Sequence, residues 1–180
     1  TSCDGLDLAL CRFWGEFPDV DFEVISTQCF EYSAEWREKL QGAMHLSALD
    51  LSILENQWTR KVARDITAFL ALETEQPDLI GFHGHTIFHQ PQNGFTLQMG
   101  SGATLSSLTG VDTICDFRQQ DVAKGGQGAP LVPMGEKWLF KIYTGFMNLG
   151  GFSNVTKRTV SDQGIETMLA HDVCALNIVL

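Results

Sequence analysis

Residues 112–133 read DTICDFRQQDVAKGGQGAPLVP, and the rest of the chain is arranged around this stretch. It opens with an apolar run typical of a strand and then breaks into a polar loop with the charged residues Asp116, Arg118 and Asp121. The loop ends in Gly125, Gly126, Gln127 and Gly128. A strand fixes the position of carboxylates, and a glycine-rich loop lets backbone N–H groups approach an anion. The pattern is equally typical of a long solvated surface turn, so both interpretations stay open here.

The composition indicates one globular domain with a hydrophobic core, because the 180 residues are 44% hydrophobic and 19% charged. The formal net charge is −10 and the sequence has no run of Lys and Arg. Nucleic-acid binders usually concentrate these basic residues on one face, so we expect no nucleic-acid partner. We also expect no membrane partner, because no apolar run approaches the roughly 20 residues that a spanning helix needs.

The five cysteines are scattered and form no Cys-x-x-Cys pair. This pattern predicts neither a disulfide framework nor a zinc ribbon and fits the reducing cytoplasm. The first residues also lack the basic and then apolar order of a signal peptide. The sequence begins at Thr1 and stops inside an apolar run, from which we expect it to be a fragment.

The amino-terminal segment TSCDGLD predicts a hairpin turn at Asp4-Gly5, followed by a strand over residues 8–13. A hairpin there requires another strand before Thr1. Its hydroxyl and backbone N–H groups could hold nucleotide phosphates, with an aspartate near a Mg²⁺ ion. An ordinary hairpin is the alternative, since Asp-Gly turns are common.

Helical and strand patterns follow. Residues 21–33 alternate as a strand, and Ser33 then caps a helix that ends at Gly42. The longest helical pattern runs over residues 47–72. Its predicted core stripe is Leu51, Leu54, Trp58, Val62, Ile66 and Phe69. Glu55 lies among polar positions on the predicted solvated face and receives no role.

The segment PDLIGFHGHTIFHQP predicts a buried strand over residues 79–82. Beyond it, His83, His85 and His89 share parity, so in an extended strand they would project to one side and invite a metal hypothesis. Gly84 interrupts such a strand, and no thiolate or carboxylate stands at a matching ligand spacing. Polar residues that line a sugar pocket are the favoured alternative.

The rest of the chain mixes both kinds of element, so the predicted class is α/β. We expect a strand over residues 95–99, a helix stopped by Gly110 and a helix that Pro133 helps to start. An apolar strand broken at Gly150-Gly151 carries Asn148 and Asn154 as hydrogen-bonding candidates. The last segment predicts a strand that ends near residue 172, followed by the start of a helix.

Five motifs occur together: TSCDGLD, GFHGHTIFHQP, TLQMG, DFRQQDVAKGGQGAPLVP and NLGGFSNVT. In order and spacing they resemble the anhydro-N-acetylmuramic acid kinases over the whole chain. That family belongs to the actin, hexokinase and Hsp70 group, whose two ribonuclease-H-like lobes close over ATP. The resemblance implies an amino-terminal lobe over residues 1–145, with a mixed sheet and flanking helices, and the start of a truncated second lobe over residues 146–180.

The resemblance also implies an activity. Such a kinase opens the 1,6-anhydro bond of 1,6-anhydro-N-acetylmuramic acid with water and transfers the γ-phosphoryl group of ATP to oxygen 6, in cell-wall amino-sugar recycling. The implied general base is Asp121, supported by Asp116 and Arg118. The implied substrate-side residues are His83, Gly125, Gly126, Gln127 and Gly128. The implied ATP-binding residues are Thr1, Ser2, Cys3, Asp4, Gly5, Leu6, Asp7, Gly150, Gly151 and Asn154. Mg²⁺ would arrive with ATP, with Asp4 as its contact, and the protein could be a homodimer.

The sequence departs from the family pattern at three places. His85 stands where many members carry glutamine, Ser101-Gly102 replaces Asp-Pro, and the segment from Asp172 to Cys174 replaces Asp-Thr-Gly. The matching region ends near the middle of a full-length member, so we expect the fragment alone to be inactive. Two alternatives remain: a histidine-dependent metallohydrolase and a non-catalytic sugar-binding module.

Overall fold

The computed structural model describes residues 3–149, 152–164 and 166–175 and has a mixed α/β architecture. The strands are β1 (Gly5–Glu16), β2 (Asp19–Glu31), β3 (Leu79–Gly81), β4 (His85–Gln90), β5 (Phe95–Met99), β6 (Asp112–Ile114), β7 (Gly145–Leu149), β8 (Phe152–Val160) and β9 (Glu166–Ala175). The α-helices are α1 (Ala34–Gly42), α2 (Ala48–Leu70), α3 (Gly102–Thr109), α4 (Gln119–Ala123) and α5 (Val132–Leu139). Short 3₁₀ turns follow α1 and β4. None of the described helices is long and apolar enough to span a membrane.

The described strands pair in four separate sheets. β1 pairs with β2 across a two-residue connection, and β4 pairs with β5 in antiparallel fashion. β3 and β6 are parallel, with Leu79 opposite Asp112. β7, β8 and β9 form an antiparallel sheet in that order. The chain divides into two compact units, one of residues 1–10 and 24–128 and the other of residues 11–23 and 129–180.

The core of the first unit is built on α2. The side chains of Leu54, Trp58, Val62 and Ile66 recur every four residues and are buried in one cluster with Phe82, Met99 and Leu105. Removal of such side chains from water is the main favourable term in folding. The predicted stripe is therefore confirmed, with Leu51 half-buried at its edge. Ser47 caps α2 by accepting a hydrogen bond from the Asp50 N–H.

Two polar side chains of α2, those of Glu55 and Thr59, bind the turn before α3. Glu55 therefore has a role that its predicted place on a solvated face did not indicate. The Gly100 N–H donates to Glu55 Oε1 at 2.9 Å, and the Ser101 N–H donates to Thr59 Oγ1 at 3.2 Å. Thr59 is fully buried and donates its own hydroxyl proton to the Glu55 carbonyl. Glu55 thus gives the Gly100 N–H, which lies beyond the end of β5, a hydrogen-bond acceptor. This contact links α2 to the turn that precedes α3.

Replacing Glu55 by alanine is expected to lower the free energy of unfolding by about 1–3 kcal/mol, since the Gly100 N–H then loses its acceptor. Glu55→Gln keeps an acceptor oxygen and should cost less than half as much. Urea denaturation measures both effects, with the exposed Gln57→Ala in the same helix as the control. Equal stabilities of the Glu55→Ala and Gln57→Ala proteins would contradict this role of Glu55.

The second unit contains the antiparallel sheet, α5 and the tip of the β1–β2 hairpin. Aromatic rings connect the tip to α5 and the residues after it: Phe17 lies 4.5 Å from Trp138 and Phe22 lies 5.6 Å from Phe140, centroid to centroid. Such ring pairs supply large apolar contact area. On β8, Asn154 and Thr156 lie on one face of the sheet and are both buried.

Most of the predicted elements are confirmed, but some predictions need correction. The strand predicted as buried over residues 79–82 is not buried along its length, because Leu79 is 48% exposed and only Phe82 is buried. β1 begins at Gly5 itself and runs to Glu16, so the described residues have their hairpin turn at Phe17-Pro18 and not at Asp4-Gly5. A strand before Thr1 lies outside the sequence. β9 continues to Ala175 because β8 pairs with it along its length, whereas the sequence predicted an end near residue 172. The helix expected after it falls on residues outside the described range.

Candidate functional site

The loop after β6 places its polar residues by tight backbone geometry. Asp116 has a φ of 60°, in the left-handed region that aspartate tolerates better than most residues. Its carboxylate accepts a hydrogen bond from Cys115 Sγ at 3.4 Å, and its carbonyl accepts one from the Gln119 N–H. The chain then forms α4, which the sequence did not predict. This five-residue helix carries Asp121 in its first turn.

The glycine-rich loop folds back onto Asp121. The Gly128 N–H donates to Asp121 Oδ2 at 2.7 Å, and the Gly126 N–H donates to the Asp121 carbonyl at 2.8 Å. A Cβ atom on Gly126 would lie 2.2 Å from Asp121 Oδ2, and one on Gly128, whose φ is 65°, would lie 2.7 Å from Val122 Cγ2. Only glycine fits either position without moving a neighbour. The backbone amide of Gly128 therefore binds an exposed carboxylate of the chain itself.

Arg118 ties this loop to the end of the neighbouring strand. Its Nη1 donates to the Gly128 carbonyl at 2.7 Å, and its Nε donates to His83 Nε2 at 3.0 Å. The other ring nitrogen of His83, Nδ1, lies 2.8 Å from the Gly84 carbonyl. Burial lowers the pKa of both His83 and Arg118, although a guanidinium stays charged at any ordinary pH. His83, Arg118, Gly128 and Asp121 thus form one continuous hydrogen-bonded chain.

A cavity of about 270 Å³ brings the amino-terminal segment to the same place. Gly5, Leu6 and Asp7 line it together with His83. Its remaining walls are Leu8, Tyr32, Trp58, Val62, Ile66, Ile80, Gly81, Phe82, Gly84 and His85. The cavity and the hydrogen-bonded chain share His83, which therefore connects three residues of the predicted phosphate-binding segment with Arg118.

The other described residues of the amino-terminal segment are fixed by the core and by β2. Cys3 is half-buried against the core, and burial raises the pKa of its thiol. The Asp4 carbonyl accepts a hydrogen bond from the Tyr32 N–H at 2.9 Å, which fixes the start of β1 beside the end of β2. Asp7 is exposed and accepts a hydrogen bond from the Cys29 thiol, which raises the pKa of that thiol. Thr1 and Ser2 lie outside the described residues.

The three histidines of the metal hypothesis diverge. The pairing of β4 with β5 has a bulge at Ile87, with Thr86 opposite Gln98 and Phe88 opposite Leu97. An extra residue reverses the alternation of side chains beyond it. His85 is consequently buried near Trp58, whereas His89 is exposed and bonded to Thr96. Within the described part of the chain, no group of three or more His, Cys, Asp or Glu side chains could hold a metal ion.

Asn154 belongs to the second unit. It is 7% exposed and stands opposite Asn148 in the pairing of β7 with β8. Among the described residues its Oδ1 atom has no hydrogen-bond partner. Gly150 and Gly151, predicted beside it as ATP-binding residues, lie outside the described range, so all three roles stay predictions.

Comparison of the whole sequence with known families identifies its family. A family model described as "Anhydro-N-acetylmuramic acid kinase" matches residues 1–178. The chain belongs to the anhydro-N-acetylmuramic acid kinase family. The resemblance drawn from the five motifs is thereby confirmed.

Curated relatives named anhydro-N-acetylmuramic acid kinase agree with this assignment. Those of Pseudomonas putida, Picosynechococcus sp. and Bordetella pertussis are 38%, 37% and 39% identical to the chain, and each match covers 87% of it. The same matches cover 44%, 43% and 42% of the relatives. The chain therefore spans less than half the length of these family members.

Three residues of the site were missed by the sequence interpretation. Tyr32 and Trp58 line the cavity and are joined by a hydrogen bond from Trp58 Nε1 to Tyr32 Oη at 3.2 Å. Cys29 contacts Asp7. Trp58 belonged to a predicted core stripe, but a stripe does not show which core residues border a cavity. His85, one of the departures from the family pattern, also lines this cavity.

Proposed function

We propose that a full-length protein carrying this chain is an ATP-dependent kinase that hydrolytically opens 1,6-anhydro-N-acetylmuramic acid and phosphorylates it at oxygen 6. Family membership supports this proposal, because it covers the chain almost from end to end. The observation that carries the chemistry is the Asp121 carboxylate. It is exposed, yet held at 2.7 Å by the Gly128 N–H within the motif most specific to the family.

In the proposed hydrolytic half, Asp121 acts as general base. Carboxylates are ionised at neutral pH and can accept a proton from water. As the water oxygen bonds to the anomeric carbon, Asp121 takes the water proton and the bond between that carbon and oxygen 6 breaks. The Gly128 hydrogen bond orients the carboxylate before the substrate arrives, and such orientation is part of the catalytic advantage of an enclosed site.

In the proposed phosphoryl half, oxygen 6 attacks the γ-phosphorus of ATP and ADP leaves. The residues at the start of β1 would hold the phosphates, because Gly5, Leu6 and Asp7 line the cavity shared with His83. The exposed oxygen donors of Asp4 and Asp7 fit a Mg²⁺ ion, which prefers carboxylates and water. Bound with ATP, Mg²⁺ supplies neutralisation of the phosphate charge. Arg118 uses Nε and Nη1 for the protein, which leaves other N–H donors for a substrate oxygen.

The proposal includes the ribonuclease-H-like lobe over residues 1–145 and the start of a second lobe over residues 146–180. The parallel pairing of β3 with β6 supports it, as does the common cavity that β1 and β3 line. It also includes the homodimer that the resemblance implied and the cytoplasmic location that the cysteine pattern favoured. The metallohydrolase alternative loses its basis, because the bulge in β4 separates His85 from His89.

The test uses the full-length protein with ATP, Mg²⁺ and 1,6-anhydro-N-acetylmuramic acid in ¹⁸O-water, with the sugar followed by mass spectrometry. We expect a product that gains one phosphate and one ¹⁸O at the anomeric carbon. Product made in ordinary water and then moved to ¹⁸O-water controls for exchange at that carbon. If another sugar is phosphorylated while 1,6-anhydro-N-acetylmuramic acid is recovered unchanged, the proposed substrate is wrong but the proposed kinase activity is not.

A further inference from the structure

His83 is fully engaged by the protein itself. Its Nδ1 lies 2.8 Å from the Gly84 carbonyl and its Nε2 lies 3.0 Å from Arg118 Nε. A carbonyl only accepts hydrogen bonds and a guanidinium only donates them. Nδ1 must therefore carry the proton and Nε2 must carry the lone pair. Both contacts together specify the neutral Nδ1–H tautomer, since a proton on Nε2 would face the Arg118 N–H and add a like charge.

The neutral His83 ring is connected through hydrogen bonds to the carboxylate of Asp121, the proposed general base. Arg118 holds the Gly128 carbonyl, and the Gly128 N–H holds Asp121 Oδ2. We propose that His83 is a positioning residue, whose neutral imidazole fixes Arg118 and, through the Gly128 backbone, the orientation of Asp121. The inference rests on the proposed function for the role of Asp121. It replaces the expectation that His83 contacts the sugar.

The surroundings of His83 make its hydrogen bond with Arg118, which we call the clamp, sensitive to pH. The charged or titratable groups near His83 are Arg118 and His85, together with Asp7 and Tyr32, which line the same cavity. The α2 side chains that line this cavity do not titrate: they are Trp58, Val62 and Ile66. Burial is the main cause of the lowered pKa of His83. A depressed histidine pKa means that the clamp is intact above the folded-state value. The clamp is lost as pH falls from the ordinary range near 6.5 through that value.

The first test reads the tautomer without any substrate. Full-length protein labelled with ¹⁵N-histidine gives two-bond and three-bond imidazole correlations, and the spectrum of His83→Gln identifies the signals of His83. We expect the neutral Nδ1–H tautomer at pH 7 and a midpoint of titration below 6.5. An Nε2–H tautomer or a charged ring at pH 7 would overturn the proposal, whatever reaction the protein catalyses.

The second test separates positioning from sugar binding by steady-state kinetics. His83→Leu removes the acceptor for Arg118 and should lower kcat about 10²-fold, while KM for the sugar changes less than about threefold. His83→Gln can still offer an oxygen to Arg118, so it should recover at least about tenfold of that loss and should lack the acid limb of kcat near the histidine pKa. His45→Gln, an exposed histidine outside the site, is the control.

A rise in KM for the sugar with unchanged kcat would overturn the proposal and return His83 to substrate binding. Equal kcat for His83→Leu and His83→Gln across the pH range would also overturn it. Failure of the proposed function is a distinct outcome. The wild-type protein would then leave the sugar unphosphorylated, while the tautomer measurement would still show whether His83 holds Arg118.

Discussion

Asp121→Asn is expected to lower kcat for sugar phosphorylation by about 10²–10⁴-fold in a full-length protein that carries this chain, the range that a positioned general base contributes. The amide is nearly the same size as the carboxylate, and its oxygen can still accept the hydrogen bond from the Gly128 N–H. It cannot take a proton from water. The loss should therefore appear in kcat, with the loop in place and the dissociation constant for ATP changed less than about threefold.

Two variants serve as comparisons for Asp121→Asn. Asp112→Asn changes an exposed carboxylate at the start of β6, in the same segment, and should leave kcat unaltered. Asp116→Asn tests the other exposed aspartate of the loop, which lies at a positive φ and accepts from Cys115. A loss of 10²-fold or more with Asp116→Asn, together with normal turnover of Asp121→Asn, would move the base to Asp116. Full turnover of both would exclude general-base catalysis by this loop.

Local signals in the sequence predicted the helices well. Ser33 caps α1 as predicted, and Gly110 ends α3 in the left-handed conformation as its position indicated. Ser47 and Ser101 also cap their helices, α2 and α3. These features depend on a few neighbouring residues. The helix α4 was not predicted, because five residues are too few to show a helical period.

Pairing between distant segments was less accessible from the sequence. The end of β9 depends on how far β8 extends beside it, and the bulge at Ile87 depends on the register with β5. A bulge changes which side chains share a face, so the metal hypothesis that the parity of His83, His85 and His89 invited finds no matching group in the described residues. Periodicity describes one strand and contains no information on its partner.

The candidate site shows the same division. The motif identified Asp121, Arg118 and the glycines, but it did not show where the backbone amides of the loop are used. An anionic ligand was expected for them, whereas the Gly128 N–H binds the Asp121 carboxylate. The contact between Arg118 and His83 joins residues 35 positions apart, and no local pattern predicts it. The sequence therefore identified candidate site residues, but it did not show the hydrogen bonds that these residues make with one another.

Gly126→Ala is expected to lower kcat by about 10²-fold while the protein keeps most of its stability. The new Cβ would lie 2.2 Å from Asp121 Oδ2 and 2.5 Å from its Cγ, well inside van der Waals contact. The atoms in conflict are the end of an exposed side chain, which can rotate away at little cost in folding free energy. The carboxylate then leaves the Gly128 N–H, and a displacement of about 1 Å is enough for a loss of this size.

A large loss of kcat with little loss of stability would show that Gly126→Ala displaces the Asp121 carboxylate and does not unfold the loop. Gly42→Ala, at the end of α1 where a Cβ meets nothing within 4 Å, is the matched control; it should leave kcat unchanged and should not lower the midpoint of unfolding, because alanine suits its helical backbone. Gly128→Ala should lose stability as well as activity, because its φ is 65° and its Cβ would meet Val122 and the Arg118 carbonyl. In an Asp121→Asn background, Gly126→Ala should add little further loss of kcat, since both changes act through one carboxylate. Additive losses in the double variant would show that Gly126 serves the reaction by another route.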